Sequence, residues 1–301
     1  MVKFKAFFLA LALTLGAASP ALSETLKIGI LPVLDTLPLQ AAVDQGYFKE
    51  QGLEVELVSF ASALERDTAM QSQQLDGYFG DILNTILLIK GGVPMRVVTV
   101  SYSTVPGQRM FALVQAPGAD PPKPGDSLKT GVSKATVIEY LLSAMALQPE
   151  VKGLSFPMTE IKKMPIRLQM LLAGQLDAAL LPEPLVSLAE SKGGGVLVTD
   201  ENLRMPLTVV CLHQDKLDKA QDFLCAYARA VTALNERGED FRALMGRTCR
   251  IPKPLTEKFP VYRYPMPRQP RKAELEPVAE WMLEKKMIHD PVKVEELLYQ
   301  K

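Results

Sequence analysis

From Glu24 onward, strand-like and helix-like stretches alternate at short intervals. Parallel strands joined by crossover helices satisfy that alternation, so an α/β fold is expected. Residues 26–31 read as the first strand and 39–45 as a short helix ended by Gly46. Within 53–59, Leu53, Val55 and Leu57 alternate with Glu54 and Glu56 until Val58 breaks the pattern, which predicts a sheet-edge strand with one buried and one wet face. A helix over 64–73, an apolar strand over 77–80 and a helix over 82–89 closed by Gly91 and Gly92 follow.

The first 23 residues carry a different signal. Lys3 and Lys5 precede an apolar run over 6–18, and Ala21-Leu22-Ser23 stand ahead of Glu24. This is the pattern of an export leader with its cleavage site. The run is shorter than the roughly 20 residues of a membrane-crossing helix, so removal is expected and stable membrane insertion is not. No cysteine follows the run, so the new N-terminus has no site for lipid.

The rest of the 301 residues exceeds one typical hydrophobic core and suits two lobes of about 100 to 200 residues. The 34 basic and 34 acidic residues balance, and losing Lys3 and Lys5 leaves the chain slightly acidic. Neither nucleic acid nor an anionic membrane is implied as a partner. In the basic stretch 263–272, Pro265, Pro267 and Pro270 separate Arg263, Arg268, Arg271 and Lys272, which predicts a solvated, stiffened loop. Cys211, Cys225 and Cys249 have no CxxC spacing, so no zinc site is expected. Two readings of them are open: a Cys225–Cys249 disulfide in an oxidising compartment, or three buried thiols.

Residues 116–122, rich in Pro and Gly, mark a loop near Pro117 where a second lobe begins, and 136–145 read as its amphipathic helix with Val137, Tyr140, Leu141 and Ala144 on one face. A strand over 207–212 and a helix over 219–235 then complete the first lobe. Lobe 1 is therefore expected to comprise 24–112 and 207–301, and lobe 2 to comprise 113–206. The chain crosses twice, near 109–114 and 204–210, and two such connections make a hinge. A faint echo links the lobes: Gln74-Leu75-Asp76 and Gln175-Leu176-Asp177 each precede an apolar strand that ends near a carboxylate, Asp81 in one case and Glu183 in the other.

Ligands of open α/β sheets sit beyond the carboxyl ends of the strands. Four loops qualify. The first, 32–38, holds Asp35 and Thr36; the second, 59–62, leads into the capping-box pattern Ser62-Ala63-Leu64-Glu65. In the third, Asp81 is either a ligand group or a helix N-cap. The fourth, Gly131-Val132-Ser133-Lys134-Ala135-Thr136, offers backbone N–H groups at a helix start to an anion or carbonyl oxygen, although capping by Ser133 explains the same residues. Phe60, Tyr78 and Tyr102 lie near these loops, with core packing the expectation for Phe60 and Tyr78. His213 and His289 are far apart, no serine occupies a G-x-S-x-G turn, and Gly193-Gly194-Gly195 lack the Lys-Ser/Thr of a phosphate loop. No catalytic residue, cofactor or metal is expected.

Leu31-Pro32-Val33-Leu34-Asp35-Thr36-Leu37-Pro38-Leu39, Gly46-Tyr47-Phe48, Gly52-Leu53-Glu54-Val55, Ser62-Ala63-Leu64-Glu65-Arg66-Asp67 and Asp76-Gly77 resemble the solute-binding components of ABC importers. The branch is the one with nitrate, sulfonate and thiamine-pyrimidine binders. Ser133-Lys134-Ala135-Thr136-Val137-Ile138, Asp177-Ala178-Ala179, Pro182-Glu183-Pro184 and Trp281-Met282 extend the resemblance over nearly the whole mature chain. It implies a two-lobed type II periplasmic-binding-protein fold with a hinge and a central ligand cleft. It also implies docking on a membrane permease driven by a cytoplasmic ATPase, a periplasmic location and a monomer. Carried over, the ligand-binding residues are Asp35, Thr36, Leu37, Pro38, Ser59, Ser62, Asp81 and Tyr102 in one lobe, and Ser133, Lys134, Ala135, Thr136 and Glu183 in the other. Many relatives carry a lipid-attachment cysteine and this chain does not.

If Asp35, Asp81 and Glu183 face the cleft ionised, an amine or aminopyrimidine finds acceptors there and a small inorganic anion is repelled. The other reading has these acids capping helices while Ser133 to Thr136 hold a sulfonate, nitrate or similar anion. Enzymes share this fold, among them a thiamine-pyrimidine synthase with a cysteine-rich iron motif, but Cys211, Cys225 and Cys249 do not match it. An exported sensory module on the same fold is a third alternative.

Overall fold

A computed structural model describes residues 25–300, and the expected leader lies outside them. The chain first lays down β1 (Thr25–Ile30), α1 (Leu37–Asp44), α2 (Tyr47–Glu50), β2 (Glu54–Ser59), α3 (Ala63–Gln71), β3 (Gly77–Gly80), α4 (Ile82–Lys90) and β4 (Met95–Ser103). It crosses to a second lobe of β5 (Phe111–Gln115), β6 (Thr130–Val132), α5 (Val137–Met145), β7 (Met158–Glu160), α6 (Met164–Leu172), β8 (Ala178–Pro182), α7 (Leu185–Glu190) and β9 (Gly195–Thr199). It then returns as β10 (Pro206–His213), α8 (Ala220–Arg237), α9 (Arg242–Thr248), α10 (Lys253–Thr256) and α11 (Lys272–Glu284).

Two five-stranded sheets result, ordered β2-β1-β3-β10-β4 and β7-β6-β8-β5-β9. The orders match position for position. Neither sheet is wholly parallel, which corrects the sequence expectation: β10 runs antiparallel to β3 and β4, and β5 runs antiparallel to β8 and β9. In each sheet the reversed strand is the one that has just crossed between lobes, so its direction is set by the hinge and not by a crossover helix. The second sheet begins at Phe111, ahead of the expected boundary at 113.

The short sequence echo corresponds to repeated contacts. Asp76 Oδ2 accepts the Lys27 amide at 2.8 Å, and Asp177 Oδ2 accepts the Lys129 amide at 2.7 Å. Each carboxylate pins the start of β1 or β6 to the turn before the parallel neighbour. Each such bond contributes about 1 kcal/mol net, enough to define register but small beside the apolar cores around it.

β2 carries the expected edge pattern, Val55 inward with Glu54 and Glu56 exposed. The other edge, β4, is covered. Val97 donates to the Leu297 carbonyl and Val100 to the Arg268 carbonyl, both at 2.8 Å. The proline-rich basic stretch is thus not a solvated loop, because an edge strand's N–H groups need acceptors and this segment supplies one. Arg268 also forks onto the Glu274 carboxylate at 2.8 and 3.0 Å.

Pro38 sits in the first turn of α1, where its fixed φ is helical and its missing N–H costs nothing, so the helix starts at Leu37, ahead of the expected 39. The three cysteines are free. Cys249 is buried with its thiol toward the Val33 carbonyl, Cys225 is half-buried on α8, and Cys211 lies inside β10. The Cys225–Cys249 disulfide expectation therefore fails, as does that of three buried thiols. Among the described residues no helix is long and apolar enough to cross a membrane.

The two crossings are tied to one another. Thr104 donates its amide to the Met205 carbonyl at 2.9 Å and accepts the Met205 amide on Oγ1 at 2.8 Å. Nearby, Asp200 Oδ1 accepts the amides of Met110 and Phe111 at 2.8 and 2.9 Å.

Candidate functional site

The carboxyl ends of β1, β3, β6 and β8 face one another across the junction of the lobes and enclose a cavity of about 50 Å³. Lobe 1 contributes Val33, Asp35, Arg66, Phe79, Asp81 and Thr208 to its wall. Lobe 2 contributes Phe111, Ser133, Thr136, Met164, Lys162 and Arg167. The lobes also touch directly: Leu34 donates to the Glu183 carbonyl at 3.1 Å, Asn84 Nδ2 to the Ala135 carbonyl at 3.2 Å, and Lys163 Nζ lies 3.0 Å from Glu65 Oε1. The Tyr140 and Trp281 rings meet edge to face at 5.2 Å from opposite lobes.

Asp35 is fully buried and neither carboxyl oxygen completes a hydrogen bond within the described residues; nor does Thr208 Oγ1. Burial pushes the Asp35 carboxyl up to about 7, the neighbouring Thr208 hydroxyl pulling the other way and Asp200 adding to the rise. Asp81 Oδ1 caps α4 by accepting the Asn84 amide at 2.8 Å. Burial raises its pKa to about 6, against Arg66, the Asn84 amide and the Val137 amide of the facing helix start. Asp81 thus stands at the N-termini of α4 and α5 together, where a negative charge is favoured by both helix dipoles.

That arrangement alters the reading of Ser133 to Thr136. Thr136, not Ser133, caps α5, accepting the Ile138 amide at 3.2 Å, and the Ala135 amide is taken by Glu139 at 2.7 Å. With Val137 facing Asp81, the helix start has no row of free N–H groups for a ligand. The Ser133 hydroxyl accepts from Arg167 Nη2 at 3.1 Å and donates to the Lys162 carbonyl at 3.3 Å.

The other expected residues lie elsewhere. The Thr36 hydroxyl is bonded to the Val33 carbonyl at 2.7 Å, and Leu37 and Pro38 are buried in the start of α1, outside the cavity wall. Ser59 is exposed at the end of β2, and Ser62 caps α3 by accepting the Glu65 amide at 3.2 Å. Tyr102 is buried beside the hinge, accepting from Gln108 Nε2 at 2.7 Å. Lys134 is exposed, and Ala135 adopts a left-handed φ of 56° that turns the loop. Glu183 is buried away from the cavity wall, bonded to Arg109 Nε at 2.8 Å and to the Ser187 amide at 3.1 Å. The premise that Asp35, Asp81 and Glu183 together face the cleft fails for Glu183, because its strand end turns it toward the hinge arginine.

Sequence reasoning missed the two buried arginines. Arg66 precedes Asp76, and Arg167 precedes Asp177, by the same interval, so lengthening the echo upstream finds both. Phe79, Phe111, Met164 and Thr208 carried no comparable signal. Neither histidine lines the cavity. Among the described residues no group of three or more His, Cys, Asp or Glu is placed to hold a metal ion.

The sequence model of the NMT1-like family matches residues 19–244. Among curated proteins none matches the chain in sequence. Solved structures share the architecture. The periplasmic aliphatic sulphonate-binding protein SsuA from Escherichia coli superposes with a TM-score of 0.73 at 17% identity, over 92% of each chain. The alkanesulfonate-binding protein SsuA from Xanthomonas axonopodis pv. citri, bound to MOPS, gives 0.74 at 15% identity, over 95% of this chain and 100% of that one. The ligand-binding component of an ABC-type import system from Staphylococcus aureus, with zinc bound, gives 0.70 at 17% identity, over 91% and 96%. At such identities the shared property is the periplasmic-binding-protein fold.

Proposed function

Since this chain belongs to the NMT1-like family, we propose that it is the solute-binding component of an ABC importer, capturing a small solute between its lobes and handing it to a membrane permease. One observation carries the reading: the cavity is walled by two lobes joined through two short crossings, and buried polar groups on both walls, the Asp35 carboxyl and Arg167 Nε, have no hydrogen-bond partner among the described residues. Buried polar groups without partners are rare because each costs about 1–3 kcal/mol, and a ligand that satisfies them offsets that cost. A site closed by hinge motion matches solute capture. The expected export leader agrees with a periplasmic place of work, with the ATPase on the cytoplasmic side of the permease.

The ligand's class follows from which groups face the cavity. With Glu183 bound to Arg109 and Asp81 capping α4, the acid on the wall whose oxygens have no partner among the described residues is Asp35. The amine or aminopyrimidine, the first expectation from the sequence, thereby becomes the second reading behind a small anion, and Asp35 is what favours it.

Trp281 is the chain's single tryptophan, and its contact with Tyr140 spans the lobes. Its fluorescence therefore reports closure. Titration with sulfonates, carboxylates, nitrate, aminopyrimidines and polyamines is expected to give a saturable change and a raised melting temperature for one class. Conversion of a solute to product, or the absence of any response across the panel, would remove the import reading.

A further inference from the structure

Arg167 of lobe 2 is the structural counterpart of Arg66 of lobe 1. Arg66 Nη1 donates to the Phe79 carbonyl at 2.8 Å, and Arg167 Nη1 to the Leu180 carbonyl at 2.9 Å, each into the strand that follows its helix. A Cβ added at Gly29 would lie 3.0 Å from Arg66 Cγ, and one at Gly131 would lie 3.1 Å from Arg167 Cγ, so both stems run under the same glycine of matched strands. Both arginines are 1% exposed, and both line the cavity.

Their compensation differs. Arg66 is paired with Asp67, whose Oδ1 accepts from Nε at 2.9 Å and Nη2 at 2.6 Å; Asn84 Oδ1 accepts from Nη2 at 3.3 Å, and the Tyr78 ring lies 4.5 Å from the guanidinium. At the positions matching Asp67 and Tyr78 lobe 2 has Leu168 and Ala179. Arg167 keeps only the Leu180 carbonyl and the Ser133 hydroxyl, Nε has no partner, and no carboxylate pairs with it among the described residues. Burial pulls its pKa down to about 10, which leaves it charged at neutral pH. A buried cation without a counter-charge is costly, and the protein shows in lobe 1 how it supplies one.

We propose that the ligand is a small solute with a single oxyacid group, and that this group takes beside Arg167 the place that Asp67 takes beside Arg66. Across the cavity the Asp35 carboxyl and the Thr208 hydroxyl then receive a hydrogen-bond donor on the ligand's other end. This deepens the import reading and rests on it. A cavity of about 50 Å³ leaves room for only a few heavy atoms between the two walls.

The test compares small acids with isosteres lacking the acid group: acetate, glycolate and methanesulfonate against acetamide, ethylene glycol and ethanolamine, read by melting temperature and Trp281 fluorescence. Acids are expected to stabilise the wild-type protein, glycolate more than acetate, and Arg167→Gln to weaken acid binding about 10- to 100-fold. Response to the uncharged or cationic probes alone overturns the proposal and leaves import standing. Response to none removes both. A second measurement needs no ligand. Without added acid, Arg167→Met is expected to melt within about 2 °C of wild type, because the charge it removes is uncompensated, whereas Arg66→Met melts several degrees lower. Equal losses in the two variants would make Arg167 a structural residue and overturn the assignment.

Discussion

Glu65 Oε1 and Lys163 Nζ approach to 3.0 Å across the mouth of the cleft, one from the start of α3 and the other from the residue before α6. Their side chains are 38% and 58% exposed, so water and salt screen the pair. Exposed pairs contribute about 0–1 kcal/mol. Because the pair joins the two lobes, on the proposed import reading its effect belongs to closure.

Lys163→Ala is therefore expected to leave the melting temperature of the ligand-free chain nearly unchanged and to weaken solute affinity less than about fivefold. Calorimetry at about 0.05 M and 0.5 M salt should show the wild type losing this advantage at high salt. A variant with unchanged affinity at low salt would exclude the pair from closure.

Stability should fall as pH rises through the neutral range. Burial holds Asp35 at about 7, and Asp81 and Asp200 at about 6, above the ordinary 3.8. A raised acid binds its proton more tightly folded than unfolded, so its contribution is complete below about pH 4 and is lost as pH passes through 6 to 7. Glu274, lowered to about 2 despite burial because Arg268 and Arg271 bond it, works the opposite way only below about pH 4.5. Melting temperature should decline from about pH 5 to about pH 7.5, and Asp35→Asn should flatten that decline. A rising curve over that interval would contradict the burial of these acids.

Arg66 anchors lobe 1. Removing one partner of a buried, hydrogen-bonded charge cluster leaves the others uncompensated, so Arg66→Met should cost about 3 kcal/mol in urea denaturation. Burial opposes the charge on Arg66, and Asp67, Tyr78 and Asp81 together outweigh it. A loss below about 1 kcal/mol would mean that Asp67 and Asp81 find other partners.

The thiols give a further check. Burial raises Cys211 and Cys249 to about 12, so neither is a thiolate at neutral pH, whereas Cys225 is half-buried on α8. In the native protein Cys225 should react with a thiol reagent first, with Cys211 and Cys249 protected until unfolding. Cys225→Ser should change stability by no more than about 0.5 kcal/mol. A protein with one titratable thiol instead of three after unfolding under non-reducing conditions would revive a disulfide.

The alternation of short apolar runs with helical segments made an α/β chain legible, and Gly46, Gly91 and Gly92 marked helix ends, because these depend on local periodicity and backbone freedom. The Asp76 and Asp177 echo showed a repeat for a similar reason: each carboxylate acts on a strand start through a single backbone amide. Four expected site residues, Asp35, Asp81, Ser133 and Thr136, stand on the cavity wall. Tyr102, Glu183 and Ser62 do not, although their local sequence resembles that of residues that do. A loop's position after a strand says that it reaches the cleft end of the sheet; it does not say which side chain turns inward.

By itself the sequence determined the α/β class, the two-lobed organisation, the family and the Ser62 cap of α3, which rest on patterns along the chain. Only the tertiary structure decided which polar groups lie buried together between the lobes. The reversal of β5 and β10, the meeting of Asp81 with two helix starts, and the pairing of Arg66 with no counterpart for Arg167 all depend on contacts between segments far apart in sequence. The sequence puts Asp67 beside Arg66 and Leu168 beside Arg167, but burial and charge compensation are properties of the assembled interior, and only the fold shows that both arginines are buried and that among the described residues no carboxylate reaches Arg167.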